Sequence, residues 1–440
     1  MHIVVCSTYP PRRCGLATFT DDLRTALAVS APQWRVEICA VDRDGHRYGP
    51  EVIEVLQQDD RGDYRRAARA VTATGADLVL IQHEYGIFGG PDGGYVLDFA
   101  SELTRLGTPY AVTSHTVLSS ATPGQAGVLA GLCRGAAVVT GFSETARRIA
   151  SEAGWVEADR FVVVPHGVPE ALSRPAEPTV AGPALAAALA AAADDRILST
   201  FGLLRPGKGL ETAVQAMPEI VAQHPDVRYL IVGATHPETL RRRGEQYREQ
   251  LTELAAQLGV GERVQFVDAF LSEPELALLL QRTELHLTPY RNLEQTCSGA
   301  LTFALAAGCP VVSTPYRYAE DLVTGAGGPP LGVLVPAEDP AGFAEATCRL
   351  LADPDRLTAT RRAAKAVGAE LTWPAVGARF ADVFAAAAAP HRVRSAGWIR
   401  PASLTELVAD ARVAGAPARG REERAWSPSP PPPASTERAS

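Results

Sequence analysis

Short apolar runs alternate with helical stretches along most of the chain. Six runs lie in the first part, at 2–6, 35–41, 77–84, 109–116, 136–143 and 160–167, and six follow at 196–204, 227–235, 264–270, 284–290, 310–316 and 331–336. Continuous runs rich in β-branched residues, separated by helices, are typical of parallel sheets that are buried on both faces. The pattern therefore predicts an α/β protein with two doubly wound parallel-sheet domains in succession.

Composition divides the chain further. The segment PEALSRPAEPTVAGP is rich in Pro and Ala and poor in aromatic residues, which indicates a linker. A last helical stretch, WPAVGARFADVFAAAA, precedes a tail that ends in SPSPPPPASTERAS and is predicted to be disordered. We expect the following division: a first domain at 1–170, a linker at 171–195, a second domain at 196–370, a closing helix at 371–390 and the tail at 391–440.

The net charge and the cysteines limit the partners and the cellular compartment that we expect for this protein. The formal net charge of −8 argues against a nucleic-acid partner. The start, MHIVVCSTYPPRR, lacks the pattern of a signal peptide, and no apolar run is long enough to span a bilayer, although peripheral membrane contact stays open. Seven scattered cysteines without a C-x-x-C pair favour reduced thiols, a cytoplasmic location and no zinc site.

The stretch FGLLRPGKGLE at 201–211 nearly spells the P-loop signature, with Gly202 and Lys208 in place but Gly209 where a Ser or Thr hydroxyl should hold magnesium. Lys208 is one of only two lysines among 42 basic residues. We considered a damaged NTPase, a plain strand-to-helix turn, and a different diphosphate site in which Arg205 acts with Lys208. The missing hydroxyl, and the absence of an acid after the next strand, favour the diphosphate site.

A second loop, within 287–323, lies between a strand that ends at Tyr290 and the helix ALTFALAAG. Polar Glu294 and Gln295 occupy this loop. The free amides of a helix start attract phosphate, so the helix start is a second candidate for phosphate binding, the alternative being an ordinary capped helix. The candidate residues there are Ser298, Gly299 and Ala300.

Candidate residues also follow strands of the first domain. Gly15 lies in the loop after the first strand, and His115 ends the strand PYAVTSHT, where ligands bind in open α/β sheets. The element QHEYGIFGG places His83, Glu84 and Tyr85 at another strand end, which we interpret as an acceptor-binding wall or, alternatively, a rigid turn. Each of these residues also has an ordinary structural explanation.

Several of these segments together resemble the retaining, nucleotide-sugar-dependent glycosyltransferases of family four, the glycosyl transferases group 1. The resemblance rests on FGLLRPGKGLETAVQA, YLIVG, LTPYRNLEQTCSGALTFALAAGCPVVST and WPAVGARF, and covers roughly 2–388. It implies the GT-B architecture, in which two Rossmann-like domains face a cleft. It further implies that Arg205 and Lys208 hold the donor diphosphate, that the Gly15 loop approaches the donor, and that His115 lies near the transferred sugar.

The chain departs from this family at one point. The family's usual pattern is Glu, seven residues, Glu, and alignment on FALAAG puts Gln295 at the first position and Phe303 at the second. Glu294, one residue earlier, is the candidate substitute for the first Glu, which usually contacts the donor sugar. The second Glu usually binds the ribose, so the grip on the nucleoside is in doubt.

The resulting expectation is a cytoplasmic, metal-independent hexosyltransferase that moves a hexose from a nucleotide diphosphate sugar to a hydroxyl of a glycan, lipid or small molecule, with retention. It needs no cofactor besides that co-substrate. The expected catalytic residues are His115, Arg205, Lys208 and Glu294, and the donor site adds Gly15, Gly202, Gln295 and the helix start. The alternatives are a GT-B nucleotide-sugar epimerase and a non-catalytic sugar-nucleotide-binding protein.

Overall fold

The computed structural model of the chain describes residues 1–177, 180–324 and 330–389. The tail at 391–440, predicted to be disordered, lies outside the described residues. Within the described ranges, no helix combines the length and the apolar character that crossing a membrane requires.

The first sheet, as far as the structure describes it, has seven parallel strands in the order β3-β2-β1-β4-β5-β6-β7. Its strands are β1 (His2–Ser7), β2 (Arg35–Asp42), β3 (Val52–Gln57), β4 (Leu78–His83), β5 (Tyr110–Ser114), β6 (Val139–Gly141) and β7 (Phe161–Val163). The helices between them are α1 (Gly15–Ser30), α2 (Arg61–Ala73), α3 (Val96–Leu106), α4 (Pro123–Gly135) and α5 (Glu144–Glu152). β1 and β4 are buried along their whole length, which explains their continuous apolar sequence.

The second sheet has six parallel strands among the described residues, in the order β10-β9-β8-β11-β12-β13. They are β8 (Arg196–Phe201), β9 (Val227–Val232), β10 (Val264–Val267), β11 (Thr283–Thr288), β12 (Val311–Ser313) and β13 (Gly332–Leu334). The helices of this part are α6 (Pro183–Ala191), α7 (Leu210–Gln223), α8 (Pro237–Arg243), α9 (Gln246–Gln257), α10 (Glu273–Arg282), α11 (Gly299–Ala306), α12 (Arg317–Val323), α13 (Pro340–Leu351) and α14 (Pro354–Ala369).

These two sheets confirm the predicted fold class, with one strand that the apolar pattern missed. β3 is an edge strand with the sequence VIEVLQ, and most of its residues are only partly buried. An edge strand with a solvent-exposed face carries polar residues among the apolar ones, so it lacks the continuous apolar run that is typical of central strands.

The chain returns to the first domain at its last described helix, α15 (Trp373–Ala388). Val168 pairs with the segment before α15 through hydrogen bonds that join it to Leu371 and Trp373. α15 then packs along α1. Gly377 allows the two helices to approach closely, because a Cβ there would lie only 2.7 Å from Cβ of Ala26. The last described helix therefore covers the first sheet rather than the second.

The two domains also touch near the carboxyl ends of their strands. Arg241 of α8 lies 3.7 Å from Asp44, just beyond β2, and Arg43 lies 3.8 Å from Glu238. On another side of this interface, Thr145 at the start of α5 donates a hydrogen bond of 2.8 Å to Asp321 of α12. Since ligands bind beyond the carboxyl ends of parallel strands, the candidate site lies where the domains meet.

Candidate functional site

The turn after β8 brings Lys208 to the end of β11. Its Nζ donates a hydrogen bond of 2.6 Å to Tyr290 Oη and lies 4.1 Å from the centroid of that ring. Tyr290 is 1% exposed and stacks on Tyr316 at a centroid distance of 5.2 Å. A rigid, buried phenol therefore holds the ammonium group in place.

Arg205 lies on the same turn and remains exposed. Burial, assisted by the positive charge of Arg205, lowers the pKa of Lys208 from its ordinary 10.5 to about 7. Burial also raises the pKa of Tyr290, against the opposing influence of Arg205 and of the Ser298 hydroxyl. The two cations and the start of α11 therefore share one small region, as the diphosphate hypothesis requires.

Gly209 explains why the P-loop signature is incomplete. Its φ of +59° is in the left-handed region, and a Cβ would overlap the carbonyl oxygen of Pro289 and lie 3.2 Å from Cγ of Arg291. A Ser or Thr here would be strained and would collide with backbone. The turn packs against the end of β11 in place of carrying a magnesium ligand.

The start of α11 has the form expected from the sequence. Ser298 is the N-cap, and its Oγ accepts a hydrogen bond of 3.3 Å from the amide of Leu301. The amides of Gly299 and Ala300 precede that bond, in the turn where a helix leaves N–H groups without intrahelical partners. The positive end of the helix dipole thus lies beside Tyr290 and the Lys208 turn.

His115 lies directly beyond β5, between the rings of Phe19 and Phe142 at centroid distances of 4.8 and 4.9 Å. Its Nε2 donates a hydrogen bond of 2.6 Å to Oε1 of Gln82. Burial, with the neighbouring His166 and His83, holds the pKa of His115 well below its ordinary value. The ring is therefore neutral, and it can contact a ligand only through Nδ1 or a C–H edge while the bond to Gln82 persists.

The element after β4 divides into a buried and an accessible part. Glu84 and Tyr85 are partly exposed, and Glu84 accepts hydrogen bonds from Thr116 Oγ1 and the Tyr85 amide. Burial raises the pKa of Glu84, whereas the charge of Arg205 across the domain boundary opposes that rise. His83 is fully buried against Tyr85, and its expected role in acceptor binding stays a prediction.

Neither candidate for the first Glu of the family pattern is free in this arrangement. Oε2 of Glu294 accepts hydrogen bonds from the Ser119 amide (2.7 Å), the Ser119 hydroxyl (2.6 Å) and the Ser120 amide (3.2 Å). Nε2 of Gln295 donates to the carbonyl of Cys297 at 2.6 Å. Donors of the first domain thus engage Oε2 of Glu294, and the expectation that this carboxylate holds sugar hydroxyls stays a prediction.

Phe303 stands where the family usually has a ribose-binding Glu. Its ring meets His166 edge-on at a centroid distance of 5.6 Å. His166 in turn lies beside Gly299, since a Cβ on that glycine would be 3.2 Å from its Nε2. The substitution thus replaces a polar anchor with an aromatic contact to the segment that ends the first domain.

Two further positions of the first domain behave as ordinary structure. Gly15 begins α1, and a Cβ there would meet nothing within 4 Å, so any need for glycine must come from a ligand. Asp42 accepts hydrogen bonds from the amides of Asp44 and His46, so the Asp-Arg-Asp segment at 42–44 forms a turn.

The structure adds site residues that the sequence did not reveal. Tyr290, Ser119 and Arg317 each contact a predicted residue, yet none belongs to a motif that spacing would identify. Tyr290 was placed only as a strand end. The signal available for it was a tyrosine directly beyond a buried strand, where an apolar ring and a polar tip both find partners.

Comparison with known proteins finds similarity to glycosyltransferases over part of the chain. Residues 195–353 match the family model described as glycosyl transferases group 1. A D-inositol 3-phosphate glycosyltransferase of Thermobispora bispora is 30% identical over 237 residues, 51% of this chain and 50% of that protein. A GDP-mannose-dependent monoacylated alpha-(1-6)-phosphatidylinositol monomannoside mannosyltransferase of Corynebacterium glutamicum is 28% identical over 193 residues, covering 42% and 46% of the two chains. The chain spans about half the length of the curated relatives that it matches.

Solved structures share the architecture. Anabaena HepE in complex with UDP aligns with a TM-score of 0.68 at 16% identity, over 88% of this chain and 100% of that one. Sucrose-phosphate synthase of Thermosynechococcus elongatus aligns with a TM-score of 0.67 at 19% identity, over 88% and 98%. Identities this low establish the fold alone.

Two Rossmann-like domains that meet at the carboxyl ends of their parallel strands define the GT-B class of fold. Within the second domain, residues 195–353 are similar to the glycosyl transferases group 1, the family that the motifs of this chain resemble.

The substitution Gly209→Ser completes the P-loop signature in the sequence and tests whether the turn is an NTPase site. We expect it to lower the free energy of unfolding by about 2 kcal/mol or more, from left-handed strain and overlap with Pro289, and to confer no ATP hydrolysis. Urea unfolding and a magnesium-dependent ATPase assay measure both effects. Gly207→Ser is the matched control, because a Cβ there meets nothing within 4 Å. A stable Gly209→Ser protein that hydrolyses ATP would contradict this account.

Proposed function

We propose that this protein is a retaining glycosyltransferase that moves a hexose from a nucleotide diphosphate sugar to a hydroxyl acceptor. In this proposal 196–370 binds the donor, 1–170 binds the acceptor, and 171–195 links them. The match of residues 195–353 to the glycosyltransferase family model supports the reaction class, and the relatives' names supply both a GDP-sugar and a phosphorylated cyclitol as precedents. Neither precedent decides the donor or acceptor of this chain.

One observation carries the proposal: Arg205, Lys208 and the α11 start converge beyond β8 and β11. These two strands are neighbours at the centre of the second sheet, with later strands extending to either side. At a point where the strand order reverses in this way, a crevice opens beyond the strand ends, and nucleotides bind there in doubly wound sheets. Two cations and a helix N-terminus at that crevice suit a diphosphate.

The chemistry required of these groups is charge neutralisation. Cleavage of the sugar–phosphate bond leaves a nucleoside diphosphate with growing negative charge, which Arg205, Lys208 and the Gly299 and Ala300 amides stabilise. Preorganised donors of this kind contribute several kcal/mol in a closed site. With this neutralisation from the protein, the proposed reaction uses no divalent metal.

Retention follows from attack on the face that the leaving group vacates, with the departing phosphate accepting the acceptor's proton. Neutral His115 lies beyond β5 to contact the sugar. Glu84 and Tyr85 form the acceptor-facing wall, with Glu84 opposite Arg205. The proposed compartment is the cytoplasm, in keeping with seven free cysteines.

The activity is tested by incubating the full chain with UDP-glucose, GDP-mannose and other common nucleotide sugars, with and without EDTA, and following products by mass spectrometry. Transfer or donor hydrolysis that persists in EDTA supports the proposal. Interconversion of the donor sugar without an acceptor would instead indicate an epimerase, and donor binding without turnover a non-catalytic binding protein.

Lys208→Ala should reduce kcat/KM for transfer about 100-fold, the scale expected for loss of a donor that stabilises the transition state. Arg205→Ala should act similarly. Lys365→Ala is the control, since Lys365 packs on Gly308 and lies outside the proposed site. Near-normal turnover of Lys208→Ala, with thermal unfolding unchanged in all three variants, would remove Lys208 from the mechanism.

The pKa of Lys208, lowered to about 7, predicts a pH-dependent affinity for the diphosphate. Only the ammonium form attracts the anion, and this form is lost as pH rises through that pKa. Binding of UDP or GDP should therefore take up a proton and weaken about tenfold or more between pH 7 and 9. Calorimetry in buffers of different ionisation enthalpy measures the proton uptake. Lys208→Met should bind weakly with little pH dependence, and an equally steep dependence in that variant would assign the effect to another group.

A further inference from the structure

Two loops hold the domains together beside the candidate site. The Val117 amide of the first domain donates to Thr296 Oγ1 of the second at 3.0 Å, and this contact is buried. Ser119 and Ser120, two and three residues after Val117, donate to Glu294, which precedes Thr296 by two residues. We refer to these five residues as the cross-domain clasp.

The clasp uses most of the hydrogen-bonding capacity of the Glu294 carboxylate. Oε2 receives three donors, and Oε1 lies 3.6 Å from Nη2 of Arg317, which also donates to Ser119 Oγ at 3.4 Å. A carboxylate offers about four acceptor sites, so Oε2 has no capacity left for a sugar hydroxyl, and Oε1 faces the Arg317 guanidinium. Burial acts to raise the pKa of Glu294, but hydrogen bonds from Ser119 and Ser120 outweigh it and lower that pKa. Glu294 thus stays ionised at neutral pH.

The position of the clasp connects it to the chemistry. Val117 follows His115 by two residues, and Thr296 precedes the N-cap Ser298 by two. The loop that carries the sugar-facing histidine is therefore tied, through short chain segments, to the helix start that faces the phosphates. A change at the clasp alters the separation of these two groups without touching either one.

We propose that Glu294 and Ser119 are positioning residues that close the two domains, and that Glu294 serves this closure rather than the grip on the donor sugar. The interdomain contact stands independently of the proposed transfer reaction, whereas its kinetic consequence rests on that reaction. Closure of a transferase site orients the reactants and keeps out water that would hydrolyse the donor. Loss of the clasp should accordingly raise the ratio of donor hydrolysis to transfer.

Hydrogen–deuterium exchange of the full chain tests the contact without any assay of activity. In Glu294→Ala the Ser119 and Ser120 amides lose their acceptor, so a peptide covering 117–122 should exchange at least about tenfold faster. Glu320→Ala is the matched control, because Glu320 pairs with Arg317 at 3.8 Å, whereas the Ser119 and Ser120 amides donate to Glu294. Glu294→Gln provides a second variant of nearly equal volume. Unchanged exchange in both Glu294 variants would overturn the proposal.

A double-mutant cycle tests the positioning role. Ser119→Ala should lower kcat for transfer about tenfold in the wild-type background but less than about twofold in Glu294→Ala, because the two side chains act through one contact. Both variants should raise the ratio of hydrolysis to transfer. Additive effects would instead assign Glu294 a separate role at the sugar and contradict the clasp. Absence of transfer in the unaltered protein would refute the proposed function while leaving the exchange result to decide the clasp.

Discussion

The hydrogen bond from the Lys208 ammonium to the Tyr290 hydroxyl is the interaction on which the candidate site depends. It joins the turn after β8 to the end of β11, and it fixes one of the two cations of the site against a stacked pair of aromatic rings. Burial of an ammonium is costly unless a partner or a ligand compensates it. This cost lowers the pKa of Lys208, and a bound diphosphate would raise that pKa again because it stabilises the ammonium form.

Backbone geometry supports this interaction. Gly209 lets the turn lie directly on the carbonyl of Pro289, and Gly202 adopts a φ of +115° where the strand enters the turn. A larger residue at 209 would push the turn away from β11 and carry Lys208 with it. The hydroxyl that the P-loop signature requires is therefore excluded by close packing, and the same packing sets the position of Lys208 in the proposed diphosphate site.

The chain departs from the pattern of the family that it resembles at Gln295 and Phe303, and this region lies at the domain interface. Phe303 contacts His166 at the end of the first domain, and Glu294, next to Gln295, binds the loop that follows His115. The region in which that family has its two Glu residues is therefore engaged by the opposite domain.

The sequence by itself determined the two parallel sheets, the turn at 201–209 and the capped start of α11, because each follows from local patterns of apolar runs, glycines and caps. The apolar pattern missed β3, because the solvent-exposed face of this edge strand interrupts the apolar run. The sequence also could not distinguish the buried His83 from the accessible Glu84. Only the tertiary structure decided that Tyr290 holds Lys208, and that Glu294 meets Ser119 from 175 residues away. Such contacts depend on how two independently wound domains meet, and no local pattern in either segment encodes the distance between them.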